Sequence, residues 1–172
     1  MRGISCSPSG DAAGRIYATD LYNNRVQVFD SEGGFLFSFG TWGAGSGQFQ
    51  SPASVALGLD GNFISEVEDL SVSPSALAVS PDGTELFISG WSSETDSAII
   101  VVTDANGAFL RNIPDFGGEA FGWILNLSFS GDNLQAFDMN NHKVRILKTD
   151  GTPLFDFGDE GSGPGEFTNW GE

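Results

Sequence analysis

The stretch Asp20–Phe49 reads DLYNNRVQVFDSEGGFLFSFGTWGAGSGQF, and a later one, Asp138–Phe167, reads DMNNHKVRILKTDGTPLFDFGDEGSGPGEF. The two align without a gap over 30 positions, and 12 of these are identical. Glycine returns at 33/151, 40/158, 43/161, 45/163 and 47/165, and phenylalanine at 37/155, 39/157 and 49/167. Glycines held at fixed offsets between apolar runs mark turns that need positive φ, so the segments read as two copies of one folded unit.

The same order of parts runs through the rest of the chain. A first apolar run ends in a turn: GISCSPSG, SVALGLDG, ALAVSPDG and LNLSFSG, closed by Gly10, Gly61, Gly83 and Gly131. A second run follows (GRIYATD, NFISEV, TELFISG, NLQAFD), then a polar loop, then a third (RVQVFD, AIIVVTD, KVRILKTD). A turn at Gly33, Gly107 or Gly151 leads to the fourth run, FLFSFG, AFLRNIP or PLFDFG. The runs are short and rich in Val, Ile and Phe. Val26 and Val28 share one face and Arg25 and Gln27 the other, which is the period of a strand. Four short antiparallel strands in a unit of about 40–50 residues match a propeller blade. One such sheet cannot cover both of its faces, so each blade needs neighbours.

The expected fold is therefore all-β, a β-propeller of four-stranded antiparallel blades, present as an incomplete ring or a fragment of one. The blades are expected at 1–50, 74–118 and 119–160, with the start of another at 161–172. The turn glycines are spaced by 51, 22 and 48 residues. The short step makes residues 51–73 read as half a blade. Both termini fall inside a unit, so a fragment or one part of an assembly is expected.

The net charge is −16, with only seven Lys and Arg. Too few cations are present to neutralise a run of phosphates, which argues against nucleic acid, and an anionic membrane surface would repel the chain. The longest apolar runs, such as AIIVV at 98–102, are too short to span a bilayer, and no signal peptide is visible. The acidity reads as a solubility device, with a cation site or a basic partner as the sharper alternative. Cys6 is the single cysteine, which excludes an internal disulfide; a small buried residue is expected there.

DLYNNRVQVFDSEGGFLFSFGTWGAGSGQF followed by SPASVAL resembles the NHL repeat, the unit of mostly six-bladed β-propellers. The copy at 138–167 resembles it too, with NNHKV in place of NNRV. ALAVSPDGTELFISG is similar to a broader class of propeller repeats with an SPDG turn. The resemblance implies a binding module, acting from one loop face on a protein, peptide or glycan, and an extracellular or cell-envelope setting. Fewer blades than the family's usual ring also imply one of two things: either blades are missing from this sequence, or two chains associate to complete one ring.

Strand order places the loops joining second to third strands (21–24, 91–97, 139–142) and the connections between blades (41–52, 114–122, 159–172) at one end. The candidate binding residues there are Tyr22, Asn23, Asn24, Trp42, Trp91, Asn140, Asn141 and His142, since aromatic and amide side chains on loops are what recognition surfaces use. The competing role for the asparagines is to shape turns, because Asn tolerates left-handed backbone. His142 is the only histidine and cannot build a zinc site with one distant cysteine. Arg25 and Lys143 share a repeat position, as do Asp20 and Asp138, and read as a recurring ion pair of the scaffold.

No cofactor is expected. The acidic loops DEGSGPGE and SSETD are the candidates for calcium, but neither matches a known calcium loop. GAGSG and GSGPG lack the Lys-Ser/Thr of a phosphate loop, and DFG at 115–117 stands without other kinase motifs. FSFG and FDFG read as aromatics packed between blades. N-L-S at 126–128 fits a glycosylation acceptor but falls in an expected innermost strand. No Ser/His/Asp or Cys/His set can be assembled. A binding module is thus favoured over the alternatives, a calcium-dependent hydrolase or lyase on a six-bladed ring and a structural self-assembling element.

Overall fold

The structure, a computed structural model, describes residues 4–6, 14–52, 55 and 71–168. The chain divides into two compact units, Met1–Glu66 and Val67–Glu172. Both are built of strands, and among the described residues the helical conformation is limited to one 3-10 turn, Leu21–Asn23.

In the first unit, β1 (Ile4–Cys6), β2 (Ile16–Asp20), β3 (Arg25–Phe29) and β4 (Phe35–Phe39) form one antiparallel sheet in chain order. The alternation in β2 and β3 buries Tyr17, Val26 and Val28 on one face, where Phe39, Phe49 and Val55 pack against them. The chain then loops back through a two-residue parallel pair, β5 (Thr41–Trp42) with β6 (Gln48–Phe49). The Gly45 N–H donates to Gln48 Oε1 at 2.9 Å, and the Phe49 ring folds onto Gly40, whose φ is 100°. A side chain at Gly40 would collide with that ring, so glycine is required twice over, for backbone and for space.

The second unit holds two more sheets of the same order. One is β7 (Ser73–Val79), β8 (Glu85–Ser92), β9 (Ser97–Asp104) and β10 (Phe109–Ile113). A small hairpin, β11 (Asp115–Phe116) and β12 (Glu119–Ala120), leads to the other. That sheet comprises β13 (Ile124–Ser130), β14 (Asn133–Asp138), β15 (Lys143–Lys148) and β16 (Pro153–Phe157). The loop beyond it repeats the one after β4: β17 (Asp159–Glu160) runs parallel to β18 (Glu166–Phe167), and the Gly163 N–H donates to Glu166 Oε2 at 2.7 Å. The Phe167 ring lies on Gly158, whose φ is 105°.

These two sheets pack face to face. Phe87, Ile100, Val102 and Ile113 of one meet Leu127, Leu134, Ala136 and Leu147 of the other in a single core. Phe87 and Phe129 make an edge-to-face pair at 5.2 Å, and Arg111 donates across to the Thr149 carbonyl at 2.6 Å. At about 1.5–3 kcal/mol per fully buried large side chain, this shared core supplies the cover that one blade lacks. The chain is thus all-β and built of propeller-type blades.

The turns follow the glycines. Gly33, Gly107 and Gly151 adopt φ of 86°, 87° and 90°, and each donates its N–H to the carbonyl three residues back. Gly83 and Gly131 are also in the left-handed region, at 75° and 56°. Gly10, Gly61 and most of the expected half blade at 51–73 lie outside the described residues.

Two expectations need correction. Trp91 is not in a loop: β8 continues through Ser92, and Trp91 pairs with Ala98. The fourth-strand aromatics are not all packed between blades, because Phe35, Phe37, Phe155 and Phe157 are exposed. The fourth strand is the outer edge of its sheet, and among the described residues only Phe39 of the two motifs belongs to a core.

Candidate functional site

Up-and-down strand order brings the loops 21–24, 93–96 and 139–142 to the same end of their sheets as the connections that follow each fourth strand. Among the described residues, the one before each third strand is left-handed: Asn24 at φ 52°, Asp96 at 51° and His142 at 55°. The Asn24 N–H donates to the Leu21 carbonyl, and its Oδ1 accepts from the Ser51 N–H at 2.9 Å. His142 takes the same corner, donating its N–H to the Met139 carbonyl at 3.1 Å. Its Nε2 is buried with no hydrogen-bond partner.

The amides beside these corners point back into the scaffold. Asn23 Nδ2 lies 3.0 Å from both Asp20 carboxylate oxygens, and Asn141 Nδ2 donates to Asp138 Oδ2 at 2.8 Å and to the Ala120 carbonyl at 3.1 Å. Arg25 and Asn23 together hold the Asp20 carboxyl below its ordinary value. Arg25 Nε meets Asp20 at 2.9 Å, but the ion pair does not recur as expected. Lys143 reaches Asp159 instead, at 3.2 Å, while Asp138 faces Arg145 Nε at 3.4 Å. Arg145 stands where the first unit has Gln27, which likewise donates to Asp20.

Arg145 is fully buried and organises this end of the second unit. It donates to Glu119 at 2.6 and 3.0 Å and to Asp156, and it lies 4.8 Å above the Phe116 ring. Burial alone would lower its pKa; Glu119 and Asp138 outweigh that and raise it, while Arg145 in turn lowers that of Glu119. Phe116 and Glu119 sit on the β11–β12 hairpin, so one guanidinium ties that hairpin to the third sheet.

The hairpin delivers Trp123. Phe121 and Ile124 are buried on either side of it, the Gly122 N–H donates to Asp138 Oδ1 at 2.9 Å, and the Trp123 carbonyl accepts from the Met139 N–H at 2.9 Å. The Ile124 carbonyl accepts from Ser75 Oγ of the neighbouring sheet at 2.8 Å. With its backbone fixed this firmly, the Trp123 ring packs at a tilt against Trp91, with ring centroids 6.3 Å apart and planes 31° from parallel, yet remains 44% exposed. Asn140 lies beside Gly122, and a side chain at Gly122 would collide with it.

The second unit therefore sets Trp91 against Trp123, which the sequence reading missed, with Asn140 beside Gly122, while Asn141 is held on Ala120 and Asp138 and the His142 ring nitrogen is buried. In the first unit Tyr22 and Trp42 are 89% and 73% exposed, whereas Asn23 and Asn24 are engaged in the loop itself. Among the described residues no three His, Cys, Asp or Glu side chains are placed to hold a metal ion, and no helix is long and apolar enough to cross a membrane. Asn126 lies in β13, as expected, with its side chain exposed.

No family model matches the chain. A segment of 55 residues, 32% of the chain, is 47% identical to RING finger protein nhl-1 of Caenorhabditis elegans, and it spans 5% of that protein. Among solved structures, the chain is similar to Kuenenia stuttgartiensis hydrazine synthase, with a TM-score of 0.39 and 14% identity, covering 90% of this chain and 34% of that one. Dihydro-heme d1 dehydrogenase NirN gives 0.40 and 14%, covering 90% and 26%.

Proposed function

We propose that the chain is a protein-interaction module that binds a peptide segment of its partner at the loop end of the second unit. The observation that carries this reading is the Trp91–Trp123 pair. A rigidly mounted, half-exposed indole loses little freedom on binding and offers a large contact area, the character of an interface anchor. The similarity of a 55-residue segment to nhl-1 supports the NHL-like reading of the repeat. Peptides selected from a random display library on the immobilised chain test it. Their binding should weaken by about tenfold or more in Trp123→Ala, the range expected for an anchor residue. Ligands indifferent to Trp123→Ala, or selection of glycans in place of peptides on a carbohydrate array, would overturn it.

A second reading, self-association, is favoured by one contrast. Ile113 and Phe157 hold equivalent places on their fourth strands, opposite Ile100 and Val144. Ile113 is 3% exposed beneath the next sheet, whereas Phe157 is 50% exposed. We infer that a second copy can cover Phe157 and its neighbour Phe155. Sedimentation should then show concentration-dependent association that Phe157→Glu abolishes; a monomer at all concentrations would refute it.

A further inference from the structure

We infer that the segment received at the Trp91–Trp123 pair carries a cationic side chain, arginine or lysine, an assignment that rests on the interaction reading above. The charges at this end of the second unit are arranged one-sidedly. Glu94 and Asp96 are exposed in the loop that begins two residues beyond Trp91. Asp115 lies at the turn of the hairpin that carries the chain to Trp123, and Glu160 and Glu166 are exposed in the loop after the last sheet. Two cations stand at the same end, and both are already paired with carboxylates other than those of Glu94, Asp96, Asp115, Glu160 and Glu166. Arg145 is fully buried among Glu119, Asp138 and Asp156, and Lys143 is bound to Asp159.

An exposed indole face attracts a cation through its ring quadrupole, most strongly when surrounding carboxylates add a negative potential. An anionic segment would be repelled by the same field. A neutral apolar segment would gain from the indoles but nothing from the carboxylates. Charge complementarity therefore selects a basic partner out of the wider class of peptides that could contact tryptophan.

The test uses three Gly/Ser-based peptides of equal length carrying spaced arginines, norleucines or glutamates, titrated into the whole chain with tryptophan fluorescence and calorimetry as readouts. The arginine peptide should bind about tenfold or more tightly than the norleucine peptide, and its affinity should fall as salt rises. Glu94→Gln with Asp96→Asn should reduce that preference severalfold, and Trp123→Ala should remove most of the binding while circular dichroism reports an intact fold. Trp123→Phe, which keeps an aromatic face, should retain part of it. Equal binding of the norleucine and arginine peptides, or no binding of the arginine peptide, would overturn the cationic assignment while leaving the interaction reading to stand on its own selection experiment. Arginine-peptide binding unchanged in Trp123→Ala would show a diffuse acidic surface instead, and would remove the site from both readings.

Discussion

At the scale of single residues, the left-handed corner before each third strand sets what a side chain can do. His142 occupies that corner with a buried, unpartnered Nε2, whereas Asn24 occupies the matching one and accepts a backbone hydrogen bond. His142→Asn should therefore stabilise the protein by about 1 kcal/mol, read as a higher melting temperature, because an unpaired buried nitrogen is lost and a residue tolerant of positive φ is gained. A lower melting temperature would mean that the imidazole packs more productively than its polar atoms indicate. Gly158→Ala should destabilise by about 2 kcal/mol or more, since φ is 105° and the added carbon would lie 2.5 Å from the Phe167 ring and 2.6 Å from the His142 carbonyl oxygen. Chemical denaturation measures this, and an unchanged midpoint would mean that the Phe167 ring swings aside freely. The glycine positions were legible in the sequence because side chains rarely tolerate a φ near 90–105° and cannot fit where a ring lies on the backbone, as at Gly40 and Gly158. The tasks of Asn23 and Asn141 were less so: the same amide that could meet a ligand satisfies a carboxylate three residues away.

At the scale of elements, period-two alternation separated the two faces of strands such as β3 and β14, but it could not say which face meets water. Arg145 lies on the opposite face from Val144 and Ile146, as alternation requires, and a polar residue there reads as solvent-facing. A neighbouring hairpin covers that face, and the guanidinium is interior. Arg145→Met should cost about 3–5 kcal/mol, because it leaves the buried Asp138 carboxylate without its cation. Adding Asp138→Asn should recover part of the loss. If the double variant were no better than the single one, the cost would lie in packing against Phe116 and not in charge. Trp91 was misplaced for a related reason. Gly90 interrupts the apolar run and looks like a strand end, whereas here it admits the close approach of the Ser73 carbonyl, 2.5 Å from where a side-chain carbon would stand. Trp123 went unread because its importance lies in the two buried residues that clamp it, not in any motif.

At the scale of the whole molecule, charge governs the response to solvent. The carboxyls of Asp20, Asp82, Glu119 and Asp150 are held below their ordinary values by hydrogen bonds, chiefly from Arg25, Ser80, Arg145 and Thr152 respectively. A depressed folded-state pKa means that the unfolded chain takes up protons first. Their contribution to stability is thus complete above the ordinary values of 3.8 for Asp and 4.5 for Glu, and is lost as the pH falls from there through the depressed values. Melting temperature should begin to fall below about pH 4.5. Near neutrality the net charge of −16 repels itself, so moderate salt should raise the melting temperature. A flat salt response would place the charges too far apart to matter. One last consequence comes from the shared backbone corner at Asn24, Asp96 and His142. Since a single conformation there accepts an amide, a carboxylate or an imidazole, the four-residue caps at 21–24 and 139–142 should be interchangeable cassettes. Transplanting LYNN into the place of MNNH would re-letter one rim of the protein without rewriting the frame beneath it.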